Sequence, residues 1–289
     1  MRAMRLPTLL AILGCLFTST AYADPFASDW SKGQKSSARL LALGAGSGGA
    51  NQPRLRAAIE IGLAPGAHTY WKAPGDAGIA PVVSFEGSAN LAGAEMHFPV
   101  PRRFDEAGAT VFGYLGEVLF PLALRPADPS LPVQLAVKID YAACDRICVP
   151  EQAMLRLTLP ADASGAGAFD ARILAAAARV PTSADGAAFG LEAVNYAAGA
   201  EGAPPQIEID VRAPAGAQLT ELFVAPPDGW FFEVGEPRRR DAAHLTFPVK
   251  VVEMPREAGT ESPPVDFVLA VDGESVEFSA RLDARRLKR

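Results

Sequence analysis

Val133-Gln134-Leu135-Ala136-Val137-Lys138-Ile139-Asp140-Tyr141 runs directly into Ala142-Ala143-Cys144-Asp145-Arg146-Ile147-Cys148-Val149-Pro150. Val133, Leu135, Val137, Ile139 and Tyr141 fall on alternate positions, the period of a strand with one face in a core. Beyond the cysteines Leu155, Leu157 and Leu159 repeat the pattern. Two such strands around a short polar loop make a hairpin with Cys144 and Cys148 at or near its tip. Four residues of straight strand span roughly 13 Å, against about 7 Å for the Cα atoms of a bridged pair. A bridge between these cysteines therefore requires the chain to fold back between them, and Pro150 suits an exit that donates no ladder hydrogen bond.

Outward from the hairpin, the chain reads as more short strands. Leu55, Ala57, Ile59, Ile61 and Leu63 alternate with Arg54, Arg56, Ala58, Glu60 and Gly62, as in a strand with one wet face. Strands are also expected near residues 39–43, 81–85, 94–98 and 118–124, with Pro/Gly/Asp turns between them and a mobile loop at 46–49. Residues 169–180 are Ala-rich enough for a short helix, stopped by Pro181. A second strand series is expected at 206–211, 222–225, 245–251, 265–271 and 275–282. The fold class is all-β: two immunoglobulin-like β-sandwiches in tandem, residues 24–162 and 189–289, joined by a linker with a short helix at 163–188.

The N-terminus carries Arg2 and Arg5, an apolar run from Leu6 to Phe17, and Ala21-Tyr22-Ala23 before Asp24. This is the pattern of a secretory signal peptide over residues 1–23, too short for a permanent membrane anchor. Cleavage after Ala23 removes Cys15 and two arginines, taking the net charge from −6 to −8 and leaving two of three cysteines. The expected location is the periplasm, where an even pair of cysteines ordinarily forms a disulfide. An acidic chain argues against nucleic acid as partner. The basic runs at 238–240 and 285–289 read as solvated surface.

From spacing alone three roles for the cysteines stay open: redox exchange, a structural disulfide and metal binding. A loop of about five residues closed by a disulfide contributes roughly 2 kcal/mol by chain entropy, and a chain of this size does not depend on it. An exposed ring next to Arg146 is open to attack by a thiolate, and a nearby cation helps hold the sulfur released. The metal reading needs further ligands. His68, His97 and His244 show no ligand spacing, although Met96-His97 with the cysteines would make a soft copper site. No phosphate-loop or Ser/His/Asp signature is present. The run from His68 to Gly78 reads either as a loop whose Tyr70 and Trp71 pack on the sandwich or as an aromatic surface that receives a partner. Phe104-Asp105-Glu106 and Val111 to Gly116 read as packing or as a movable lid, and Trp230-Phe231-Phe232 as second-domain core or interface.

Taken in order, His68-Thr69-Tyr70-Trp71, Pro74-Gly75-Asp76 with Gly78, Phe98-Pro99, Tyr114 with Gly116-Glu117, and Tyr141 to Pro150 resemble the N-terminal periplasmic domain of the DsbD thiol:disulfide interchange family. They are most similar to ScsB-type variants, in which two immunoglobulin-like domains precede a membrane domain. The similarity is best over residues 35–160 and thinner over 190–285. It implies a sandwich that relays electrons between thioredoxin-fold periplasmic partners through Cys144 and Cys148, with Cys148 forming the mixed disulfide. It also implies that Phe112 and Tyr114 cap the pair and that Asp105-Glu106 lie nearby; Tyr70 and Trp71, from the aromatic run, are the further candidates for the cap or partner surface. No cofactor or metal is called for. Two departures stand out: only three residues separate the cysteines, fewer than in the best-known members, and no membrane or thioredoxin-like domain follows before Arg289. The reading therefore expects a separate membrane electron donor. The alternative is a non-enzymatic binding or copper-handling module with a structural disulfide.

Overall fold

The computed structural model describes residues 25–44, 55–161, 167–197, 204–256 and 259–287. The expected signal peptide and the loop at 46–49 lie outside these residues. Among the described residues no helix is long and apolar enough to cross a membrane.

The first unit contains, in chain order, β1 (Ser31–Lys32), β2 (Ser36–Ala42), β3 (Leu55–Leu63), β4 (His68–Gly75), β5 (Val82–Ser84), β6 (Leu91–Met96), β7 (Arg102–Glu106), β8 (Ala109–Leu115), β9 (Glu117–Pro126), β10 (Val133–Cys144) and β11 (Cys148–Leu159). One sheet has the order β1-β2-β3-β9-β6. The other runs β11-β10-β4-β8-β7, with β5 added on β10. Between them Leu40, Ile59, Ile61, Phe120, Leu122, Val137 and Ile139 form the core. Apolar residues at every second position of β3, β9 and β10 leave these strands no other way to bury their faces.

The β10–β11 hairpin is as the alternation predicts, and longer. Its register is unbroken from Val133 opposite Leu159 to Cys144 opposite Cys148. Two expectations are corrected. The run at His68 forms strand β4, not a loop, and His68, Thr69, Tyr70 and Trp71 are all buried. A strand buried on both faces shows no hydrophobic alternation, so periodicity could not reveal it. The second face of β3 is not wet either. Helix α1 (Asp170–Ala177) lies over it, packing Ile173 and Ala177 on Leu41, Ala58 and Leu119. Glu60, 2 % exposed, is held there by Arg39 at 2.6 Å and by Arg172 of the helix. The segment expected to be a linker is thus partly a lid on the first sandwich.

The second unit contains β12 (Thr182–Ser183), β13 (Gly190–Ala197), β14 (Gln206–Arg212), β15 (Thr220–Ala225), β16 (Phe231–Val234), β17 (Arg238–Arg239), β18 (His244–Glu253), β19 (Val265–Val271), β20 (Glu274–Ala280) and a final short α2 (Ala284–Leu287). Its sheets run β12-β20-β19-β15 and β13-β14-β18-β16, with β17 on β18. They enclose Ile207, Ile209, Phe247, Val249, Phe267 and Leu269, together with Trp230 and Phe232. The arginines at 238 and 240 are surface residues paired with Glu208 and Asp210. Strands β15 and β19 are apolar on both faces for a reason visible in three dimensions: Leu222 and Leu269 point into their own core, while Phe223 and Val268 join the core of the first sandwich.

Candidate functional site

The sheet register brings the site together. Cys144 ends β10 and faces Cys148, the first residue of β11, with Cα atoms 4.0 Å apart and the sulfurs bonded. The return is made by Asp145-Arg146-Ile147. Asp145 Oδ1 accepts the backbone N–H groups of Arg146 and Ile147, an Asx-type turn, and also meets Lys35 Nζ. Those bonds, the lysine foremost, pull the Asp145 carboxyl down to about 2. Lys35 Nζ also donates to the carbonyl of Ile147 at 2.7 Å. Behind it Glu151 accepts the N–H of Lys35 at 2.8 Å and of Gln34 at 3.2 Å. The turn between β1 and β2 therefore clasps the hairpin tip. Arg146, the cation expected beside the sulfurs, is exposed.

The two sulfurs have different surroundings. Cys144 is fully buried, among Tyr70, Val111, Ala142 and Phe104, whereas Cys148 is exposed. On β4 His68 sits opposite Cys144 in register, and two residues on, Tyr70 points to the same side. Tyr70 Oη lies 2.8 Å from Glu106 Oε2, 3.1 Å from Cys144 Sγ and 3.4 Å from Cys148 Sγ. A phenol carries one proton, so with the disulfide closed it goes to the carboxylate, the charged and stronger acceptor. Burial, and after it the bond to Glu106 and its charge, push the Tyr70 phenol well above its ordinary value, which keeps it a donor.

Glu106 closes β7, next to a hairpin turn in which Ala107 and Gly108 both have positive φ, as in a type I′ turn. That turn hangs the carboxylate over the disulfide: Oε1 is 3.5 Å from Cys148 Sγ and Oε2 is 3.3 Å from His68 Nε2. His68 is held edge-on by Tyr70 and Phe104, at ring-centroid distances of 5.3 and 4.8 Å.

Of the residues singled out in the sequence, Cys144, Cys148, Tyr70 and Glu106 come together. Phe112, Tyr114 and Trp71 point to the other side of the same sheet. Phe112 and Trp71 pack against Phe223 of the second sandwich, and the buried Tyr114 hydroxyl donates to the Pro99 carbonyl at 2.7 Å. Met96 lies in β6 and His97 next to it, paired loosely with Glu95. Lys35 and Glu151 carry no local signal in the sequence, because their partners are more than a hundred positions away. At the tip Ile147 is 71 % exposed, and farther along the hairpin Val82, opposite Asp140, and Ile79 are exposed as well.

Residues 47–160 match the family described as thiol:disulfide interchange protein DsbD, N-terminal. Among solved structures, the N-terminal periplasmic domain of ScsB from Proteus mirabilis superposes with a TM-score of 0.66 at 23 % identity, over 90 % of this chain and 99 % of that one. The shared fold thus extends through both sandwiches. A conserved domain protein from Bacillus anthracis aligns at a TM-score of 0.21 and 7 % identity, too remote to carry any weight. No curated protein matches the chain by sequence.

Proposed function

With a first sandwich that matches the N-terminal domain of the DsbD thiol:disulfide interchange proteins, we propose that this chain is a periplasmic thiol–disulfide exchange protein working through Cys144 and Cys148. The observation that carries the reading is the asymmetry of the pair: one sulfur is buried beside a hydroxyl donor, the other is open to solvent. A thiolate of a reduced thioredoxin-fold partner attacks Cys148 Sγ. The bond between the two cysteines breaks, and Cys144 leaves as a thiolate within reach of the Tyr70 proton. The partner's second thiolate then attacks the partner's own sulfur in the mixed disulfide and expels Cys148 as a thiolate, so the partner leaves oxidised and the two cysteines are left as thiols, two electrons richer as a pair. Reversal of these steps hands the electrons to an oxidised partner. Ile147, next to the exposed sulfur, supplies apolar contact for such a partner. A separate membrane protein is the proposed source of electrons.

The decisive experiment is trapping. Cys144→Ala leaves Cys148 without its resolving thiol and should accumulate a mixed disulfide with a thioredoxin-fold protein, while Cys148→Ala should accumulate none. Equilibration of the wild type with glutathione should place the pair between about −120 and −270 mV. A potential below roughly −300 mV, with no adduct from Cys144→Ala, would mark a structural bridge and sink the proposal.

A further inference from the structure

The disulfide is ringed by donors that exchange chemistry alone does not call for. His68 Nε2, a Glu106 carboxylate oxygen and Cys144 Sγ all lie within 4.8 Å of one another. Glu106 Oε1 is 3.5 Å from Cys148 Sγ, which brings a fourth donor to the same point. A tetrahedral ion bound at about 2.3 Å to sulfur and about 2.0 Å to nitrogen or oxygen holds its ligands roughly 3.3–3.8 Å apart. The His68, Glu106 and Cys144 donors are therefore within about 1.5 Å of the spacing of a coordination shell, and reduction frees Cys148 Sγ to move apart from Cys144 Sγ and complete it. The outer shell is in place too. Tyr70 donates to Glu106 at 2.8 Å, and His68 is clamped between two aromatic rings.

While the sulfurs are bonded to each other they carry no charge and are poor ligands. After reduction, deprotonation would set two thiolates beside a carboxylate; of the cations at the tip, Lys35 is engaged by Asp145 and the Arg146 side chain is exposed to solvent. A divalent cation relieves that repulsion. The mixture of two soft sulfurs, an imidazole and a hard carboxylate fits Zn2+, whereas Cu(I) is satisfied by thiolates and has little use for Glu106.

We propose that the dithiol form of this site binds one divalent cation of the Zn2+ class through Cys144, Cys148, His68 and Glu106, and that the disulfide form does not. Binding replaces two thiol protons, which go to solvent, and involves no change of oxidation state. Bound metal occupies both thiolates and so holds the reduced protein back from exchange until the cation is removed. The inference needs the disulfide to be reducible but does not need a thioredoxin-fold partner. Exchange measured with a chelator present and metal binding measured without a partner can therefore fail separately.

The test uses mature protein reduced with a phosphine, freed of reductant without oxygen, and titrated with Zn2+ against a chromophoric chelator. A parallel titration with Co2+ reads tetrahedral thiolate coordination from its absorption bands. We expect one Zn2+ per reduced chain and none per oxidised chain. Glu106→Gln and His68→Gln should each weaken binding by at least tenfold, with their disulfide forms folded by circular dichroism. Glu106→Gln should retain Cu(I) binding. Equal affinity of the reduced and oxidised proteins would overturn the proposal. So would wild-type Zn2+ affinity in both variants, since that would leave the two thiolates as the whole site.

Discussion

Phe112 of the first sandwich meets Phe223 of the second edge to face, with ring centroids 5.3 Å apart and planes at 87°. The contact is on the reverse of the strands that carry the site. In β8, Val111 faces the Cys144 cluster and Phe112 faces the second sandwich; in β4, Tyr70 and Trp71 divide in the same way. Arg103 adds to the junction, donating to the Leu222 carbonyl at 3.2 Å with its guanidinium over the Phe112 ring, and Lys72 pairs with Glu277. The second sandwich therefore braces the sheet whose far face holds the disulfide.

That bracing should be measurable. Phe223→Ala removes a fully buried ring that a strand of the second sandwich places in the core of the first, and should destabilise the protein by about 3 kcal/mol. The loss should appear in the first sandwich as well as the second. Urea unfolding followed by hydrogen exchange of β4 and β8 amides would show it. Unchanged protection in those strands would mean that the sandwiches are energetically independent.

How far the sequence goes is clear from particular elements. The β10–β11 hairpin is legible because one of its faces is wet for most of its length, so apolar residues repeat every second position. Strand β4 is not, because one of its faces meets the disulfide cluster and the other meets Phe223, which erases the alternation. Glu60 looks like a solvent residue of β3 until a helix more than a hundred positions later covers it. The cysteine pair is legible from spacing, but its surroundings are not: Glu106 reaches Cys148 through a hairpin turn, and Lys35 reaches Asp145 from another sheet. The resemblance in the motifs pointed to acidic residues near the pair, which local pattern could not.

Glu60 gives a prediction in pH. Burial alone would raise its pKa, but hydrogen bonds from Arg172 and Arg39 outweigh that and hold it below the ordinary value. A carboxyl depressed in the folded state contributes stability that is fully present above its unfolded pKa, about 4.3, and lost as pH falls through the lower folded value. Glu60→Gln should therefore lower stability at neutral pH by about 2 kcal/mol, less than for a fully buried pair because both arginines reach solvent. It should also flatten the acid limb of the stability curve below pH of about 4. Denaturation midpoints measured down that limb would decide, and an unaltered slope would remove Glu60 as a contributor.

Gly78 tests whether Tyr70 needs its place. The backbone there has φ of +113°, and a Cβ would sit 2.4 Å from Tyr70 Cε1. Gly78→Ala must move the phenol or the loop, at a cost of about 1–3 kcal/mol. If Tyr70 acts on Cys144, this variant should also slow reduction of the disulfide by a dithiol. Loss of stability with an unchanged reduction rate would assign Gly78 to packing alone.

The Tyr70 and Glu106 side chains should act on the thiols with opposite signs. The Tyr70 proton can pass from the carboxylate to Cys144 when that sulfur becomes a thiolate, and a hydrogen bond to a charged group contributes about 1.5 kcal/mol or more. Tyr70→Phe should thus raise the Cys144 thiol pKa by about one unit and make the disulfide harder to reduce. Glu106 disfavours a thiolate at Cys148, 3.5 Å away, and competes for the same proton. Glu106→Gln should lower the thiol pKa values and stabilise the reduced form, shifting the potential upward by about 30 mV per 1.4 kcal/mol. Thiolate absorbance against pH, together with glutathione equilibration, reads both quantities on both variants. Shifts of the same sign in the two variants would break the argument, because they would mean that hydroxyl and carboxylate act as one unit and not as competitors for a single proton.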